Sequence, residues 1–98
     1  MVKHIILWKL KEEISDKETV KKGVKEGLES LKGKIPGLID IKVHINGLES
    51  STADMMLDST FESKEHLKQY SVHPEHVAVA DNKVRPFTAQ RSCLDFEI

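Results

Sequence analysis

With one cysteine, one tryptophan, one tyrosine and three prolines, this chain leaves much of protein chemistry out of reach. Cys93 stands alone, so no internal disulfide can form. No apolar run approaches the ~20 residues that span a bilayer. Neither sign of charge gathers into a block: 15 basic residues stand against 16 acidic ones, for a net charge of -1. Nucleic acid and anionic membrane are therefore poor partners. Phosphate-loop, nucleophile-elbow and dinucleotide fingerprints are missing, as are internal repeats and low-complexity segments. The amino terminus opens on a charged, strand-like run without a secretory hydrophobic region, which sets the expectation of a reduced, cytoplasmic protein.

What is present reads as a single domain over residues 1–98. A domain of that size buries only about two-thirds of its unfolded surface, so a partner chain would add stability. Val2 to Lys11 alternates as a strand, with Val2, His4, Ile6, Trp8 and Leu10 on one face and Lys3, Ile5, Leu7 and Lys9 on the other. Ser15-Asp16-Lys17-Glu18 matches a capping box for a helix from Asp16 to about Lys32, stopped at Gly33. Its apolar stripe is Val20, Val24, Leu28 and Leu31, and its charged residues, Lys25 and Glu29 among them, read as a solvated face. Gly23 and Gly27 lie on or beside the stripe, where each is unfavourable by roughly 1 kcal/mol. They are expected to face the sheet, either for close packing or to leave room for a pocket.

Ile35-Pro36-Gly37 makes a turn. Leu38 to Asn46 follows as a strand with Ile39, Ile41, Val43 and Ile45 on one face, and after a polar loop Asp54 to Phe61 forms a third strand. Ser63 caps a helix that ends near Ser71. Pro74, which cannot continue a helix but suits the first turn of one, starts the next, and Arg85-Pro86 ends it. Thr88 to Ile98 is the last strand, with Leu94, Phe96 and Ile98 opposed to Ala89, Arg91, Cys93 and Asp95.

That order is the split βαβ pattern of an α+β, ferredoxin-like sandwich, with helices on one face of a four-stranded antiparallel sheet. The other face would expose Ile5, Leu7 and their neighbours as an oversized apolar patch. A symmetric homodimer that closes the two open faces on each other resolves this.

Val2-Lys3-His4-Ile5-Ile6-Leu7-Trp8-Lys9, Ile35-Pro36-Gly37, Phe61-Glu62-Ser63, Tyr70-Ser71-Val72-His73-Pro74-Glu75-His76 and Asp95-Phe96-Glu97 together resemble the stress-responsive A/B barrel domain (Dabb) family over nearly the whole chain. The resemblance implies a dimeric α/β barrel. Such proteins include plant stress-induced members, bacterial members without known activity, and a plant polyketide cyclase that closes an aromatic ring by an aldol step. It also implies a pocket pairing His76 with Tyr70, with His4 close by. The chain departs from the cyclase in two ways: it has no second tyrosine, and its third strand carries Met55 and Met56 where a histidine would stand.

His76, Tyr70 and His4 are accordingly the candidate catalytic residues, with Ile6, Trp8, Gly27, Met55, His73 and Val77 as the expected pocket lining. An imidazole beside a phenol can take a proton next to a carbonyl while the hydroxyl steadies the enolate. Near the start of its helix and against apolar neighbours, His76 is expected to have a depressed pKa. The bland readings are that His76 caps or packs at a helix start, that Tyr70 anchors a helix end and that His4 is a satisfied core histidine. His73 and His76 lie three apart, but no cysteine adjoins them and Pro74 points them differently, so no metal and no cofactor are expected. His44 and His66 read as surface residues, and Cys93 as a small buried group. Two functions follow: a homodimer that binds, or binds and transforms, a carbonyl-bearing or aromatic small molecule, or a non-catalytic stress or assembly protein.

Overall fold

Alternation and capping signals place each element within a few residues of its observed ends. The computed structural model describes residues 1–98 and runs β1 (Val2–Leu10), α1 (Lys17–Glu29), β2 (Leu38–His44), β3 (Met55–Phe61), α2 (Lys64–Val72), α3 (Pro74–Val79) and β4 (Thr88–Glu97). A π-helical turn (Ala80–Val84) and a 3-10 turn (Arg85–Phe87) carry α3 into β4. The strands form one antiparallel sheet in the order β2-β3-β1-β4, the ferredoxin-like arrangement.

The helices pack on the face that carries Ile6, Trp8, Leu57, Phe61 and Val43, all buried with Val24, Leu28 and Tyr70. They do not reach far enough to cover β4, whose residues from Ala89 onward are exposed. On the opposite, open face, Leu7, Leu94 and Phe96 stay exposed beside Ile5, which pairs with Leu94 across the β1–β4 ladder.

Several local expectations are corrected. The cap of α1 is Asp16 rather than Ser15: its carboxylate accepts from Thr19 N at 3.1 Å and from Thr19 Oγ1 at 2.7 Å. A charged acceptor at a helix start satisfies free amides and the dipole together. Ile39 turns outward, because the β2–β3 register shifts between Leu38 and Asp40 and leaves two consecutive residues, Ile39 and Asp40, on the exposed side. Gly23 and Gly27 face Lys83 and Val79, not the sheet; a Cβ on Gly27 would lie 2.9 Å from Val79 Cγ1. Their bareness lets α1 approach α3 and its π-helical extension.

Lys25 and Glu29 are more than a solvated face. Glu29 Oε2 accepts from Val43 N at 2.9 Å, and Lys25 Nζ donates to Val43 O at 2.8 Å, the two side chains pairing at 2.7 Å. They close off an edge-strand residue whose backbone would otherwise face outward unpaired. His66 is half-buried rather than on the surface. Its Nδ1 lies 2.7 Å from Ser63 Oγ, the α2 cap, and its ring lies against Gly37.

Gly33 and Gly37 both have positive φ, 85° and 80°, but a Cβ at Gly33 meets nothing within 4 Å whereas one at Gly37 would sit 2.1 Å from His66 Cδ2. Both alanine variants carry the left-handed backbone penalty of about 1–2 kcal/mol. Gly37→Ala is expected to lose a further ~1–3 kcal/mol to overpacking in denaturant unfolding, and His66→Ala in that background to recover most of the difference. Equal losses for the two single variants would mean that His66 does not rest on Gly37.

Candidate active site

Pro74 sets the site's geometry. Lacking an amide hydrogen, it breaks the helical run after Val72; His73 turns to an extended backbone and caps α3 by accepting from Glu75 N through Nδ1 at 3.1 Å. The new helix direction lays the His76 ring over Tyr70, with ring centroids 4.1 Å apart and planes inclined by 35°. Tyr70 in turn packs on Phe61 at 4.9 Å and meets His4 edge-on at 6.2 Å. His4 is buried, and its Nδ1 lies 2.5 Å from Asp95 Oδ1 on the neighbouring strand. Asp95, His4, Tyr70 and His76 thus form a row across the gap between sheet and helices.

That gap is a cavity of about 740 Å³. It is open on the side where no helix covers β4. Ile6, Trp8, Leu28 and Leu57 form its floor, α2 and the α3 extension one wall, and Arg91, Cys93 and Asp95 the other. His76, Tyr70 and His4 all line this cavity, together with Ile6 and Trp8. The other four residues expected to line the pocket are placed elsewhere. Gly27 packs on Val79, Met55 is buried opposite Trp8 on β3, His73 serves as a cap, and Val77 lies on α3 outside the cavity. Cys93 is exposed on the cavity wall rather than buried, since β4 lacks a covering helix.

Asp95, Cys93, Arg91 and Arg85 are cavity residues that reading the sequence alone did not select. The signal was present: a split βαβ order sets β4 against β1, and with Leu94 and Phe96 on the open face, Arg91, Cys93 and Asp95 must share the face of His4.

Burial dominates the electrostatics. It lowers the pKa of His76 below 6.5; the Ser71 backbone opposes this, while the guanidinium groups of Arg85 and Arg91 add to it. Burial pushes the Tyr70 phenol far above its ordinary range, so the hydroxyl keeps its proton. Partial desolvation and then the Asp95 carboxylate raise the Cys93 thiol, which makes it a poor nucleophile. Two buried side-chain atoms have no protein partner, Tyr70 Oη and His76 Nδ1, and both residues line the cavity.

The model of the stress responsive A/B barrel domain matches residues 2–98. The chain belongs to the Dabb family. A crystal structure of a dimeric, ferredoxin-like Bacteroides fragilis protein of unknown function is 34% identical to it, with a TM-score of 0.91 over 99% of this chain and 95% of that one. An Arabidopsis thaliana protein is 24% identical, with a TM-score of 0.81 over 100% and 95% of the two chains. A hydroxynitrile lyase from Passiflora edulis is 18% identical, with a TM-score of 0.79 over 99% and 92%. Identities at these last two levels establish the shared fold alone. No curated protein sequence matches the chain. No helix of this Dabb chain is long and apolar enough to cross a membrane.

The lowered pKa of His76 has a consequence for stability. The unfolded chain takes up this proton near pH 6.5 and the folded chain only at lower pH, so the neutral ring's contribution is complete above 6.5. It is lost as pH falls from 6.5 toward the folded value. Thermal unfolding between about pH 7.5 and about pH 5.5 should therefore show a steeper loss of Tm in the wild type than in His76→Gln. Parallel curves would mean that His76 titrates normally.

Proposed function

We propose that this Dabb protein is a homodimer that binds a small carbonyl-bearing or aromatic molecule in the cavity and acts on it by acid–base chemistry. The observation that carries this reading is that Tyr70 and His76, whose buried Oη and Nδ1 have no protein partner, line one cavity. Leaving a buried polar group unpaired is unfavourable by about 1–3 kcal/mol. A ligand with a carbonyl oxygen and an acidic C–H next to it answers both atoms at once.

In that role His76, neutral because it is buried, takes the proton from the carbon beside the carbonyl. The Tyr70 hydroxyl, too basic as a phenolate to ionise, donates to the oxygen as negative charge develops there. His4, oriented by Asp95, contributes a third polar group on the sheet side. Apolar contacts from Ile6, Trp8 and Leu57 suit an aromatic or short aliphatic body. A reducing, cytoplasmic setting fits the unpaired Cys93.

The exposed Leu7, Leu94 and Phe96 support the dimer, as does the dimeric state of the B. fragilis protein. Sedimentation at micromolar concentration is expected to give a dimer, and a stable monomer would contradict it. For the chemistry, the measurement is exchange of the methyl protons of acetophenone in deuterated water, followed by NMR. Wild-type protein should accelerate exchange, His76→Gln should abolish the acceleration, and Tyr70→Phe should reduce it by roughly 10²–10³-fold, the scale of losing one oxyanion donor. Absence of acceleration, with no binding seen by Trp8 fluorescence, would favour the non-catalytic stress or assembly role.

A further inference from the structure

His4 and Asp95 stand directly opposite each other across the β1–β4 ladder, and Cys93 follows on the same face of β4 two residues earlier. Three side chains of metal-ligating type are thereby fixed by backbone pairing on two adjacent strands, with their ligand atoms all within 4.8 Å of one another. His4 Nδ1 lies 2.5 Å from Asp95 Oδ1 and 3.8 Å from Cys93 Sγ, and Sγ lies 3.4 Å from Oδ1. Zinc bonds of ~2.0–2.1 Å to nitrogen and oxygen and ~2.3 Å to sulfur, at tetrahedral angles, require separations of ~3.6 Å from sulfur to either light atom and ~3.3 Å between those two. Both sulfur distances already match within a few tenths of an ångström. Only the Asp95 carboxylate must draw back from His4, and it sits on an exposed strand with room to do so.

We propose that His4 Nδ1, Cys93 Sγ and Asp95 Oδ1 form a binding site for a thiophilic divalent cation of the zinc type, with its fourth position open to the cavity. The donor set selects the cation class, because one thiolate and one imidazole disfavour magnesium or calcium, which take oxygen shells. Thiolate and carboxylate together neutralise the dication, so Arg91 on the same wall faces a complex without net charge. Three protein ligands with one open position is the arrangement of catalytic rather than structural zinc. His76 and Tyr70 are not ligands, while His4 and Asp95 are shared with the acid–base reading; a metal would replace their direct pairing, and the cobalt titration reads the metal site without any turnover.

The test is titration of untagged, chelator-treated protein with Co²⁺ followed by absorption, then competition with Zn²⁺. One cobalt per chain with a thiolate-to-cobalt charge-transfer band, displaced by zinc, is expected. The band should vanish in Cys93→Ser, and affinity should fall at least about tenfold in Asp95→Asn and His4→Gln. Cys93 is exposed, so Cys93→Ser without metal should melt like the wild type, which verifies its fold. Absence of the band in the wild type overturns the proposal, as does cobalt binding of unchanged affinity and stoichiometry in Cys93→Ser.

Discussion

The helices are too few to cover four strands, and the rest of the molecule follows from that shortfall. Packing over β1, β2 and β3 buries an apolar core with Trp8, Phe61 and Tyr70 among its largest members, but leaves the helix-side face of β4 bare. A closed layer there would have buried Arg91, Cys93 and Asp95 at a large desolvation cost. Instead those residues stay hydrated and form one wall of a cavity whose opposite wall is helical. The same sheet keeps a second apolar surface on its far side, where Leu7, Leu94 and Phe96 project. One sheet therefore lines a mixed polar and apolar recess with one face and presents an apolar surface on the other.

Within the recess, the arrangement of side chains depends on one backbone event. A continuous helix from Lys64 to Val79 would carry residue 76 along the α2 axis, with six residues turning it some 240° away from Tyr70. Pro74 interrupts that path, and the change of direction returns the His76 ring onto the Tyr70 ring. The stacked arrangement differs from a direct phenol–imidazole hydrogen bond. It leaves Tyr70 Oη and His76 Nδ1 unpaired, so the two groups do not consume each other's hydrogen-bonding capacity.

The fold was legible because period-two alternation and helix stops dominate its segments; the burial of β1 shows this well. It was less legible where local chemistry competes with pattern. The shift in β2 register hides in an unbroken apolar alternation that puts Ile39 inward, and the Asp16 cap lies one residue from a better-looking serine. Gly23 and Gly27 were recognised as unusual, yet which neighbour needed their space depends on the α3 position, a tertiary fact. Tyr70 and His76 could be named from sequence because rare residue types cluster around Pro74, and His4 because the family resemblance implies it close by. Asp95 was harder to see, since no local pattern marks it and its link to the site follows only once β4 is set beside β1.

The central claim is that a small molecule enters the recess between sheet and helices rather than resting on the open sheet face. Chemical-shift mapping of the isotope-labelled protein with acetophenone tests this most directly. Perturbations are expected at the amides of His4, Tyr70, His76, Ala80 and Val84 and along Arg91 to Asp95, with the open-face residues Ile5, Leu7 and Phe96 perturbed least. Perturbations concentrated on Leu7 and Phe96, or none at millimolar ligand, would contradict it.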